Sequence, residues 1–125
     1  MAKKRTKYGS RKCTHDGIEF DSKKEMYRYI TLKIKQAEGL ISDLRLQVPY
    51  EIIPAVYETQ EVQLKTKVKY VTKCVQKAAH YIADFVYKDA DGNEVVEDSK
   101  GFRTKEYQLK KKMMRAYLGI TIKEV

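Results

Sequence analysis

No stretch of this chain approaches the roughly 18 consecutive apolar residues that a membrane span requires, and no secretory-leader pattern opens it. Cysteine is scarce: Cys13 and Cys74 stand far apart, without CxxC or Cys/His spacing. A disulfide framework and a zinc site are therefore not expected, and a reducing interior is the natural setting. Internal repeats are absent. Acidic residues are outnumbered, with 17 Asp+Glu against 26 Lys+Arg and a net charge of +9. That excess fits a polyanionic partner, because phosphate contacts release condensed counterions, and it equally fits a solvated basic surface. With 125 residues, 42% hydrophobic and 34% charged, the chain suits one soluble domain with one modest core.

What is present divides along the chain. "MAKKRTKYGSRK" carries six Lys or Arg in twelve residues, so residues 1–14 read as a basic flexible arm and 15–125 as a single domain. Asp16-Gly17 marks a turn, after which Ile18 and Phe20 alternate like a short strand. Ser22 with Glu25 three places on forms an S-x-x-E capping box. A helix is expected from Ser22 to Glu38, with Met26, Tyr29, Ile30 and Ala37 on its apolar stripe and Gly39 at its end.

From Leu40 the period changes. Leu44, Leu46, Val48, Tyr50 and Ile52 share one face of an extended segment, and Pro49 assigns it to a sheet edge or a bulge. Residues 55–78 are lysine-rich and roughly alternating, which leaves an extended hairpin and a flexible excursion both open. Thr104 can cap a second helix with Leu109, Met113, Ala116 and Tyr117 on its face. Gly119 ends that helix, and "ITIKEV" alternates as a last strand. The order predicts an α/β (α+β) fold, a mixed β-sheet with a central hairpin flanked by helices.

The hairpin, "YIADFVYKDADGNEVVEDSKG", carries an aspartate inside each apolar strand. Tyr81, Ala83, Phe85 and Tyr87 share one face, and Ile82, Asp84 and Val86 the other. Directly opposed residues of an antiparallel pair point the same way, so Asp84 meets Asp98 only across a loop with an odd number of residues. Ala90-Asp91-Gly92 supplies three, with Gly92 where a type I turn plus bulge requires positive φ. That register opposes Asp89 to Asn93 and Asp84 to Asp98, and clusters both carboxylates with Lys100.

Two close carboxylates on an apolar strand repel and raise each other's pKa unless a cation intervenes. Hard oxygen donors of this kind suit Mg²⁺ or Mn²⁺, whose remaining positions take waters and phosphate oxygens. Such an ion polarises a phosphodiester and activates water. Lys100 can orient that water or stabilise charge developing on phosphorus.

Asp84 followed by Asp98-Ser99-Lys100 resembles the D…(D/E)xK signature of the PD-(D/E)xK nuclease superfamily. Ala83 stands where the signature has proline. The phrases "DGIEFDSKKE", "YIADFVY" and "VEDSKGFRTKEYQLKKKMM" resemble a family of small phage proteins known only as a domain of unknown function. The layout is also similar to the phage endonuclease I family of Holliday-junction resolvases, with Asp98 in place of the glutamate of ExK. The resemblance implies a restriction-endonuclease-like core and a metal-dependent endodeoxyribonuclease acting in phage replication or recombination, in the bacterial host cytoplasm. It implies Glu25, Asp84, Asp98 and Lys100 as catalytic residues. Glu25, Asp84, Asp98 and the backbone carbonyl of Ser99 would be the metal ligands. DNA, branched or duplex, is the implied partner, with no membrane role. A homodimer follows if two cuts at a junction are required.

Each residue also has a structural reading. Glu25 can merely close the capping box, Asp84 can be an edge charge, and Asp98 with Lys100 a surface ion pair. Glu97 points to the opposite face and is expected to solvate the sheet. Lys3, Lys4, Arg5, Arg11, Lys12, Arg103, Lys105, Lys110, Lys111 and Lys112 are candidate phosphate contacts, or simply solvated charge. His15 and His80 have no HNH-like setting. Two further functions stay open: a non-catalytic nucleic-acid-binding or regulatory phage protein on a nuclease-like fold, and an interaction module for an acidic protein partner.

Overall fold

The computed structural model describes residues 12–99 and 103–125. In chain order the elements are β1 (Cys13–His15), β2 (Ile18–Phe20), α1 (Lys23–Ala37), β3 (Ser42–Ile53), β4 (Val56–Gln63) and β5 (Val68–Gln76). There follow β6 (Ala79–Lys88), β7 (Glu94–Asp98), α2 (Lys105–Leu118) and β8 (Lys123–Glu124). The main sheet runs β3-β6-β7-β8, antiparallel except for the parallel β7–β8 pair. Among the described residues the class is α+β, with a mixed sheet and two helices, and β6–β7 is its central hairpin. The single parallel pair follows from the helical crossover α2 between β7 and β8. Cys13 and Thr14, grouped with the basic arm by composition, instead stand in β1, paired with Phe20 and Glu19 of β2. None of the described helices is long and apolar enough to cross a membrane.

Helix α1 begins where its capping residues place it. Ser22 Oγ accepts from the Glu25 N–H at 3.2 Å, satisfying one of the orphan donors of the first turn. At the other end Gly39 N–H donates to the Gln36 carbonyl and Leu40 N–H to the Lys35 carbonyl. Those two bonds are a Schellman closure, which Gly39 permits by adopting φ 79°. Tyr29 and Leu32 are buried with Glu25, while Met26 and Ile30 are partly covered.

The hairpin adopts the expected register. Phe85 faces Glu97, Val86 faces Val96 and Lys88 faces Glu94, and Asp89 N–H donates to the Asn93 carbonyl at 2.9 Å. Continuing the ladder inward sets Asp84 opposite Asp98. Asp89 Oδ1 caps the loop by accepting from the N–H of Asp91 and of Asn93, and Gly92 takes φ 82°.

Two buried clusters cover the sheet. One holds Phe20, Tyr29, Leu32, Ile41, Phe85 and Tyr87 around α1; the other holds Ile52, Tyr81, Ala83, Val86, Val96, Tyr107, Met114 and Ile122 around α2. Neighbours Phe85 and Val86 fall into different clusters, as do Val95 and Val96, so here the helices cover opposite faces. The expected single face of Tyr81, Ala83, Phe85 and Tyr87 does not persist: the first two join the α2 cluster and the last two the α1 cluster. β3 changes over likewise between Leu46 and Val48. Gln47 stands at that changeover with φ 52°, opposite Asp84, since Leu46 pairs with Phe85 and Val48 with Ala83. A non-glycine residue held left-handed costs about 1–2 kcal/mol, and here it coincides with a break in strand alternation.

The buried face of α2 differs from the expected one. Tyr107 and Met114 point inward, while Leu109 and Tyr117 are exposed. Apolar residues occur on several faces of this helix, and burial goes to the pair two turns apart that meets Val86, Val96 and Ile122. Residues 55–78 form a hairpin, not an excursion. Among the described residues β4 and β5 pair only with each other, from Tyr57↔Cys74 to Gln63↔Val68, as a two-stranded sheet of their own.

Candidate active site

Three elements bring side chains to the end of the hairpin away from its loop. Glu25, in the first turn of α1, is buried despite its charge. Asp84 on β6 and Asp98 with Ser99 at the end of β7 are buried as well. Asp84 Oδ2 accepts the Ser99 N–H at 2.9 Å, so the strand end fixes the carboxylate. Gln47 Nε2 donates to Glu25 Oε1 at 3.1 Å and to Asp84 Oδ1 at 3.4 Å. A single amide thus joins a helix carboxylate to a strand carboxylate 59 positions later in the chain.

Asp98 is held differently. Tyr81 donates its hydroxyl to Asp98 Oδ2 at 2.5 Å, and the Asp98 carbonyl accepts the Val125 N–H, tying the last residue of the chain to β7. Tyr107 lies beside Tyr81, ring centroids 6.4 Å apart. Burial raises the pKa of both phenols, and the negative charge of Asp98 and Asp84 adds to it. Tyr107 reaches about 12, although Arg103 pulls the other way. Both phenols therefore stay protonated at neutral pH and act as donors. The Tyr107 hydroxyl and the Ser99 hydroxyl are buried with no hydrogen-bond partner among the described residues.

Glu97 is a correction to the sequence reading. It does point to the opposite face from Asp98, but it is fully buried and does not solvate the sheet. Arg28 Nε and Nη2 each donate to one of its oxygens at 2.7 Å, and the Tyr87 hydroxyl donates to it too. Burial pushes the Glu97 carboxyl up. Bonds from Arg28 and Tyr87, with the charges of Arg28 and Lys123, outweigh that and hold it below the ordinary glutamate range. Arg28 lies one helical turn after Glu25, so this fork fixes the rotation of α1 that presents Glu25 to Gln47.

Among the described residues no group of three or more His, Cys, Asp or Glu side chains is placed to hold a metal ion. The pair Glu25 and Asp84 still fits Mg²⁺ chemically, since that ion takes one or two carboxylates and fills its other positions with water and substrate phosphate. Lys100 lies outside the described residues, as do Lys3, Lys4, Arg5 and Arg11. Of the other candidate phosphate contacts, Lys12 pairs with Glu19 and Lys110 with Glu106, while Arg103 and Lys111 both pair with Glu124. Lys105 is exposed.

A family model described as "Protein of unknown function (DUF1064)" matches residues 5–123. The chain belongs to this DUF1064 family. No curated protein and no solved structure matches it. In this DUF1064 chain the residues that sequence reasoning missed are Gln47, Tyr81, Tyr107, Arg28 and Glu97. Gln47 was legible only as a polar residue between Leu46 and Val48. The Arg28–Glu97 pair spans 69 positions, and no local pattern announces it.

Proposed function

We propose that this protein is a metal-dependent endodeoxyribonuclease on a restriction-endonuclease-like core, hydrolysing DNA phosphodiester bonds. The supporting observation is the meeting of buried Glu25 and Asp84 at one amide, with Asp98 across the hairpin from Asp84. A solvated edge charge or a capping-box glutamate has no need of that arrangement. Glu25 and Asp84 would hold Mg²⁺ or Mn²⁺, with water and substrate phosphate in the remaining positions. When bound, that ion supplies charge stabilisation at the phosphate and lowers the pKa of a water.

The chain's own groups do the rest. Gln47 and the Ser99 N–H hold the Asp84 carboxylate oriented, and Tyr81 orients Asp98. In this reading Lys100 orients the attacking water and meets charge developing on phosphorus. The test is cleavage of four-way junction, flap, duplex and single-stranded DNA with Mg²⁺ or Mn²⁺. At least one substrate is cut by the wild type, and Asp84→Asn and Asp98→Ala lose about 10²-fold or more, the scale for removing a group central to transition-state stabilisation. No cleavage of any of the four, or full activity in Asp98→Ala, refutes the proposal.

A further inference from the structure

Among the described residues the β4–β5 hairpin pairs with no other strand, and most of its residues are exposed. A two-stranded ribbon alone in water is marginal, and this one exposes Tyr57, Val68, Tyr70 and Val75. Its charge is sorted. Lys65 and Lys67 lie at the tip, Lys69 and Lys73 on β5 and Lys77 just beyond, whereas the two acidic residues, Glu58 and Glu61, lie on β4. All five lysines are exposed, and among the described residues none of them forms an ion pair. That contrasts with Lys12, Arg103, Lys110 and Lys111, each paired to an acid of this chain. Lys69 and Lys73 share one face with Val62 and Glu58, and Tyr57 and Tyr70 share the other.

We propose that the β4–β5 arm is a DNA-binding element, with its tip and β5 edge lying along the phosphate backbone of duplex DNA. The proposal rests on the nucleic-acid reading above and extends it to a surface outside the carboxylate site. Charge complementarity selects the occupant, since five exposed lysines line one strand and the tip against two acids of the arm, and of the two lysines within β5 Lys73 alone has an acid, Glu58, directly across from it. Size agrees. Nine β5 residues at about 3.3 Å each span roughly 30 Å, close to one turn of duplex, and a two-stranded ribbon fits a major groove about 12 Å wide.

The experiment measures duplex binding by fluorescence anisotropy in EDTA, across a salt series, so that cleavage plays no part. The arm variant is Lys65→Gln, Lys67→Gln, Lys69→Gln, Lys73→Gln and Lys77→Gln together. A control of equal charge change carries Lys23→Gln, Lys33→Gln, Lys35→Gln, Lys88→Gln and Arg115→Gln. Circular dichroism verifies that both remain folded. Each phosphate contact contributes about 0.9 to the slope of log K against log salt. With three or more arm contacts, the wild type loses about fortyfold more affinity than the arm variant between 50 and 200 mM salt. The control keeps a slope near that of the wild type. Equal slopes in wild type and arm variant, or equal losses in arm variant and control, overturn the proposal. So does a wild type that binds no duplex at low salt, or an arm variant whose only change is loss of self-association. Binding that depends on the arm, without cleavage of any substrate, supports the arm and refutes only the nuclease reading.

Discussion

Arg28 and Glu97, 69 positions apart, close on each other through two 2.7 Å hydrogen bonds across the α1–β7 boundary. The carboxylate is fully buried and the guanidinium mostly so. Removing the cation leaves a buried charge without its partner, which costs about 3–5 kcal/mol. Arg28→Ala is therefore expected to lose that much stability in urea unfolding, and Arg28→Lys to recover only part of it, because an ammonium cannot reproduce the fork. A loss under about 1 kcal/mol in Arg28→Ala would show that the pair is not a structural anchor.

Acid should act through the same residue. Glu97 titrates lower in the folded chain than in the unfolded one, so its contribution is present in full above the unfolded value, about 4.3. It is lost as pH falls from there through the lower folded value. Unfolding free energy measured by urea titration should fall steeply below about pH 4.5 in the wild type. In Glu97→Gln that acid limb should be shallower, from a lower plateau at neutral pH. Parallel acid limbs in the two proteins would assign the acid sensitivity elsewhere.

The hairpin, its register and both helix caps were legible because each depends on residues near one another in sequence. Gly92 fixes the three-residue loop, the loop fixes parity, and parity sets Asp84 opposite Asp98. Ser22, Thr104 and Gly119 stop and start helices by local hydrogen bonds alone. Pro49 marked this strand as an edge or a bulge, and β3 is the edge strand, but the slip in alternation was not legible, because it depends on a left-handed Gln47 that nothing in the local sequence singles out. The buried face of α2 was not legible either. Tyr107 and Met114 are chosen by what β6, β7 and Ile122 offer them, and Leu109 has as good an apolar claim in sequence. Glu97 reads as an alternating polar residue until Arg28 arrives from α1.

Tyr107 gives a sharper distinction. Its hydroxyl is buried with no hydrogen-bond partner among the described residues, yet it feels the charge of Asp98 and Asp84. Burying a hydroxyl without a partner costs free energy, so Tyr107→Phe should leave stability unchanged or raise it, within about 1 kcal/mol. Thermal and urea unfolding of the two proteins check this. A loss of 2 kcal/mol or more would mean that the phenol has a partner and belongs to the structural network.

Gln47 offers the test closest to the proposed chemistry. Its amide supplies the hydrogens that let two buried carboxylates approach each other. Replacing it with a shorter apolar side chain that has no donor, Gln47→Leu, leaves Glu25 and Asp84 facing each other without that mediator. In EDTA the variant should be less stable than the wild type by about 1–3 kcal/mol, the penalty for unsatisfied buried polar groups. A cation that binds between the carboxylates takes over the role of the amide, and it stabilises the folded state by mass action. Millimolar Mg²⁺ or Mn²⁺ should therefore raise the melting temperature of Gln47→Leu more than that of the wild type. The same addition should do little for Gln47→Leu combined with Asp84→Asn, where one of the charges is gone. If the metal shifts none of the three proteins, the carboxylate pair is not a cation site, and Gln47 serves only to reconcile two charges that the fold has buried together.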